Sequence, residues 1–100
     1  MVQKRRKQKL GILDKFRLDG RVAVVTGAGR GLGRAISLAL ADAGAGLVVT
    51  ARTKDQIDET AALVREMGRK CLAVVCDVTD SASVNTMVEA TLAEYGKIDI

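Results

Sequence analysis

Short runs of β-branched residues alternate along this chain with stretches in which apolar residues recur at helical spacing. Arg21 to Thr26 predicts a first strand. Leu32, Ala35, Ile36, Ala39, Leu40 and Ala43 then fall three and four apart, which predicts a helix with one apolar face, and Gly44 is placed to end it. Leu47 to Ala51 is a continuous apolar run, as expected of a strand covered on both faces. Thr53-Lys54-Asp55-Gln56 has the spacing of a capping box, and Ile57, Ala61, Val64 and Met67 carry a second helix to Gly68. Cys71 to Cys76 predicts the third strand. Thr79 or Asp80 can cap a third helix with Val84, Val88, Leu92 and Tyr95 on one face; Gly96 stops it, and Ile98-Asp99-Ile100 begins a fourth strand. Strands joined by single helices imply right-handed βαβ crossovers and a parallel sheet.

The first strand runs into Thr26-Gly27-Ala28-Gly29-Arg30-Gly31-Leu32-Gly33, where the next helix opens. A glycine-rich turn in that position can seat a diphosphate: backbone N–H groups point outward and the positive end of the helix dipole favours an anion. Gly27 lets the chain leave the strand tightly. Gly31 removes a side chain where backbone and diphosphate meet, and Gly33 allows close packing of the helix. Leu32 can offer its backbone N–H to a phosphate oxygen. The competing view is a turn that merely saves space. The G-x-G-x-x-G spacing does not fit, because Leu32 and Arg34 stand where its last glycine is needed; what fits is T-G-x-x-x-G-x-G. With strands and helices alternating around it, the turn predicts an α/β fold. The expected architecture is a Rossmann-type doubly wound parallel sheet, incomplete, with the order β1-α-β2-α-β3-α and the start of β4.

Composition changes this picture little. Apolar residues are 48% of the 100, enough for one small core, and no apolar run approaches the roughly 18 residues of a membrane span. No signal peptide is visible, so a cytoplasmic protein without membrane contact is expected. The formal charge of +4 is local. Lys4, Arg5, Arg6, Lys7 and Lys9 lie together with no acid among them, and without these five the basic residues no longer outnumber the 12 acidic ones. Residues 1–18 therefore read as a basic leader, flexible at its start, and residues 19–100 as the folded unit. Such an arm could touch nucleic acid, but no aromatic or amphipathic partner accompanies it, so a solvated leader is the expectation. Cys71 and Cys76 have no redox or zinc spacing and there is no histidine, so two buried reduced thiols are expected and no metal.

The T-G-x-x-x-G-x-G turn resembles that of the short-chain dehydrogenase/reductase family, and the resemblance runs from about residue 19 to residue 100. It implies an NAD(P)-dependent oxidoreductase that moves hydride between a nicotinamide and a carbonyl or alcohol. Where an NAD enzyme carries a carboxylate for the ribose 2′-hydroxyl, the chain reads Val49-Thr50-Ala51-Arg52-Thr53. Ala51 stands at the carboxylate position. A guanidinium at Arg52 can pair bidentately with a 2′-phosphate, and Arg30 could approach the same phosphate from the glycine loop. This is similar to the family's NADP-preferring pattern, so NADP is expected in preference to NAD. In the family an aspartate at Asp77 accepts from the adenine amino group and the next residue, Val78, packs on the ring. The sequence alone also allows Asp77 a role in starting the third helix.

The family's catalytic serine and Y-x-x-x-K pair are not found among these residues. Tyr95 and Lys97 have the wrong spacing and read as structural, so no catalytic residue is assigned. The chain is expected to be the cofactor-binding N-terminal portion of such an enzyme, without turnover of its own. Its opening Leu18-Asp19-Gly20-Arg21-Val22-Ala23-Val24-Val25-Thr26 looks like members that reduce 3-oxoacyl thioesters and like sugar or polyol dehydrogenases. The resemblance implies a homo-oligomer for the intact enzyme. The alternative is a non-catalytic dinucleotide-binding or interaction module built on the same half-fold.

Overall fold

The computed structural model describes residues 17–100; the charged arm at 4–9 lies outside them. Three strands, β1 (Val22–Thr26), β2 (Gly46–Ala51) and β3 (Cys71–Val75), alternate with three helices, α1 (Gly31–Asp42), α2 (Lys54–Glu66) and α3 (Ser81–Tyr95). The sheet is wholly parallel with β2 in the centre. Val22 pairs with Gly46 and Leu47 with Cys71, and each register then continues without a bulge.

Parallel pairing forces the chain to return over a face of the sheet after each strand. The connections β1-α1-β2 and β2-α2-β3 step in the same direction, so right-handed crossovers put both helices on one face. There Ala23, Val25, Leu47, Val49 and Cys71 meet Ala41, Ile57, Ala61 and Val64 in one buried cluster. Leu18 packs against that cluster, and its N–H donates to the Ala43 carbonyl at 2.7 Å. The connection after β3 turns back toward β1, so α3 takes the opposite face. It packs on β3, and the Tyr95 hydroxyl donates to the Leu47 carbonyl at 2.8 Å.

The expected fourth strand appears as a start. Residues 98–100 are not a regular strand, yet Ile100 donates to the Val22 carbonyl at 3.1 Å and accepts from Val24 N–H at 2.9 Å. Those two bonds are one rung of a parallel ladder on the free edge of β1, opposite β2. The Asp99 carboxylate accepts from Val22 N–H at 2.8 Å and pairs with Lys97 at 3.0 Å. Both contacts hold it below the usual carboxylate range, the Lys97 bond more than the Val22 amide.

Two of the three helical stripes differ from expectation. In α2, Ile57, Ala61 and Val64 are buried as predicted, with Thr60 beside them and Met67 left partly exposed. In α1 the buried residues are Ser37 and Ala41, while Ile36 is exposed and Leu32 is 77% exposed. In α3 they are Met87 and Thr91, and Leu92 is exposed. The cause is tertiary: α2 is flanked by α1 and by two strands, whereas nothing among the described residues covers the flank of α1 that carries Leu32 and Ile36. The capping box also does not form. Thr53 is the N-cap of α2, but its side chain makes no capping bond; α3 is capped by Asp80, whose carboxylate accepts from Ala82 N–H at 3.1 Å.

Cys71 and Cys76 are free and buried. Among the described residues no three His, Cys, Asp or Glu could hold a metal, and no helix is long and apolar enough to cross a membrane. Burial pushes the Cys71 thiol up from 9.0 to about 11 and the Tyr95 phenol up from 10.0 to about 12. Both groups are neutral in the folded and unfolded chain at pH 7. Above about pH 9 the unfolded thiol ionises while the folded one does not, so the unfolded state gains. Stability is expected to fall as pH rises from about 9 to about 11, the phenol extending the loss toward 12. Urea melts at neutral pH and at pH 10.5 check this, and Cys71→Ala should remove the earlier part of the loss.

Candidate functional site

Three parallel strands bring their C-terminal ends to one edge of the sheet, so the segments that follow them become neighbours whatever their separation in sequence. After β1 comes the glycine turn. Gly27 and Gly31 have φ of +63° and +57°, the left-handed region that a side chain disfavours. Space around a Cβ at Gly31 is open, so conformation rather than crowding selects glycine there. Gly33 is the reverse case. A Cβ on it would sit on the Gly27 carbonyl oxygen, 2.7 Å from the carbonyl carbon and 3.1 Å from Ala28 Cα. Ala28 N–H donates to the Thr50 carbonyl at 3.0 Å and ties the turn to β2. Arg30 is the N-cap of α1, makes no side-chain capping bond, and no acidic residue lies in the first turn. The leading N–H groups of α1 are thus left for an external acceptor, at the positive end of the helix dipole.

Beside the turn lies a cavity of about 320 Å³ lined by Thr26, Gly27, Thr50, Ala51, Arg52, Cys76 and Val78. The volume falls within the range of small-molecule sites, at its lower end. Thr50 is fully buried, and its hydroxyl is the one buried side-chain polar atom without a hydrogen-bond partner among the described residues. A buried hydroxyl left unpaired costs about 1–3 kcal/mol, so one at a cavity wall suits a polar occupant. On the rim the Arg52 guanidinium donates to the Asp77 carboxylate at 3.2 Å. Thr79 donates to the same oxygen through its hydroxyl at 2.6 Å and its N–H at 3.0 Å. The Thr79 bonds first, and Arg52 after them, hold Asp77 below the usual carboxylate range, so it is an anion and an acceptor at neutral pH.

Of the residues singled out in the sequence, Gly27, Arg52 and Val78 line the cavity and Asp77 joins it through Arg52. Arg30, Gly31, Leu32 and Gly33 stand together at the start of α1, and Thr53 at the start of α2. Thr26, the first residue of the turn motif, and Ala51 line it as well, and Thr50 and Cys76 complete the cavity without having been given a place in the site. Nothing marks them in one dimension, since threonine and cysteine within β-branched runs read as strand filler. Tyr95 contacts Gly46 and Leu47, at the start of β2 and the far end of the sheet from the cavity, and Lys97 pairs with Asp99. Both make their contacts within the fold, away from the cavity. An uncapped helix start, two left-handed glycines, an orphaned hydroxyl and an exposed arginine fit a dinucleotide: the diphosphate at the helix start, the adenosine end in the cavity.

A parallel α/β sheet with a glycine turn and a cavity at its strand ends is a Rossmann-type arrangement. Residues 21–100 match the short chain dehydrogenase family, and the chain belongs to that family. It is 43% identical over 89 residues to an uncharacterized oxidoreductase of Mycobacterium tuberculosis, covering 89% of this chain and 34% of that protein. The structure of an NAD+-bound xylitol dehydrogenase superposes with a TM-score of 0.79 at 36% identity, covering 81% of this chain and 31% of that one. The structure of L-sorbose reductase from Gluconobacter frateurii, complexed with NADPH and L-sorbose, gives 0.81 at 35% identity, covering 84% and 32%. The chain therefore spans about a third of the length of the relatives it matches.

Proposed function

We propose that the whole protein is an NADP(H)-dependent oxidoreductase acting on a carbonyl or alcohol, and that residues 19–100 form its adenosine- and diphosphate-binding half. The observation that carries the coenzyme choice is the end of β2. Ala51 leaves no carboxylate at the ribose, and the Arg52 side chain, 70% exposed, stands on the cavity rim beside it. A 2′-phosphate would meet a guanidinium there and no competing acid of β2. Arg30, exposed at the N-cap of α1, can approach the same phosphate, and Thr53 opens α2 next to it. Gly31, Leu32 and Gly33 present their main chain to the diphosphate, with Gly27 making the turn. Asp77 accepts from the adenine amino group while Val78 packs on the ring. The coenzyme supplies the hydride; these side chains bind and orient it. Sugar or polyol substrates and 3-oxoacyl thioesters are the substrate classes that the opening residues of the fold favour.

Titration calorimetry of the whole protein tests this. NADPH is expected to bind at least about tenfold more tightly than NADH, one charge-assisted contact being worth about 1.5–3 kcal/mol. Equal affinities would remove the NADP assignment, and binding of neither coenzyme would remove the oxidoreductase proposal as a whole.

A further inference from the structure

The side chains of the glycine turn make no hydrogen bond that holds its shape, yet the carbonyls of Ala28 and Gly29 are both held toward α2. The cause is a pair of residues outside the turn. The Arg34 guanidinium donates through Nη2 to the Gly29 carbonyl at 2.6 Å and through Nε to Thr60 Oγ1 at 3.0 Å. Thr60, fully buried on α2, donates in turn to the Ala28 carbonyl at 2.8 Å. Arg34 Nη1 reaches Glu59 at 3.2 Å and keeps the planar fork in place. Two successive carbonyls of the turn are thereby fastened toward α2.

In a trans peptide the C=O and the following N–H point in opposite directions. Fastening the Ala28 and Gly29 carbonyls toward α2 therefore turns the N–H groups of Gly29 and Arg30 away from it. Neither N–H donates to any acceptor among the described residues. Gly29 could not carry a side chain in this arrangement, since a Cβ would lie 2.8 Å from Gln56 Cβ on α2.

We propose that Arg34 and Thr60 are positioning residues for the phosphate loop: they set the outward orientation of the Gly29 and Arg30 amides, which join the main chain of Gly31, Leu32 and Gly33 in receiving the coenzyme diphosphate. This rests on the coenzyme assignment above. Arg34 itself is directed away from the loop's outer face, so it acts through the main chain and does not serve as a cation on the phosphate. Lysine lacks the fork and cannot replace it, whereas serine can replace Thr60.

The test compares two ligands on the folded whole protein. NADPH spans the loop; adenosine 2′-phosphate reaches only the adenosine end. Arg34→Met and Thr60→Val are each expected to weaken NADPH by about tenfold or more, the scale of one lost charge-assisted or buried hydrogen bond. Adenosine 2′-phosphate should stay within about twofold. Arg34→Lys should resemble Arg34→Met, and Thr60→Ser should restore binding. If the wild type prefers NADH, NADH and adenosine are the pair to compare. NADPH affinity unchanged in folded Thr60→Val, or equal losses for both ligands, overturns the proposal. Should Arg34→Met fail to fold, the Thr60→Val and Thr60→Ser pair decides it alone. A wild type that binds neither coenzyme overturns the coenzyme assignment instead, and this proposal with it.

Discussion

Replacing Gly33 with alanine is expected to abolish measurable coenzyme binding by the whole protein and to lower its stability by about 1–3 kcal/mol, the usual cost of forcing extra volume into a packed site. Elsewhere in a helix the same change would stabilise, by about 0.5–1 kcal/mol, because alanine loses less backbone entropy than glycine. Contact decides the sign here. The added Cβ would overlap the Gly27 carbonyl and press on Ala28 Cα at 3.1 Å, and these neighbours are backbone that cannot rotate away. Relief requires α1 to move off the turn, which also moves the N–H groups proposed to receive the diphosphate. A urea melt and a calorimetric titration read the two effects. An unchanged midpoint with wild-type affinity would show that the turn is far softer than its geometry indicates.

Arg52→Ala is expected to weaken NADPH at least about tenfold and to leave NADH nearly unchanged. Two energies compete. In the free protein Arg52 pairs with Asp77, but both side chains are substantially exposed, and such pairs contribute about 0–1 kcal/mol. A charge-assisted bond to a 2′-phosphate is worth about 1.5–3 kcal/mol. The phosphate therefore wins the guanidinium. Asp77 is left with its Thr79 bonds and a free oxygen for another donor. Titrating both coenzymes against the variant measures this directly, and losses of equal size for the two would place Arg52 outside the 2′-phosphate site.

Much of the fold can be read along the chain because its signals are local or periodic. The three apolar runs become strands within a residue of expectation, and Gly68 and Gly96 follow the ends of α2 and α3 with φ of +81° and +78°. The left-handed turn at Gly27 and Gly31 is equally local, since no distant residue is needed to make φ positive there. The fourth strand's side of the sheet is a tertiary fact: handedness fixes the face that α3 takes only once Ile100 lies against β1. The inward faces of α1 and α3 do not follow. Every third or fourth residue of α1 is apolar, so several faces satisfy the period, and only the position of β1, β2 and α2 selects Ser37 and Ala41 over Leu32 and Ile36.

For the site, residue order alone indicates which main-chain stretch can cradle an anion and which arginine follows the position where an acid is otherwise found. Folding supplies the rest. Thr50 becomes an orphaned hydroxyl at a cavity wall only once β1 and β3 flank β2, and Arg34 meets Thr60 and Gly29 only once α2 lies beside α1. Short-range torsional preference writes the turn into neighbouring residues, whereas a hydrogen bond across 26 positions has no local trace.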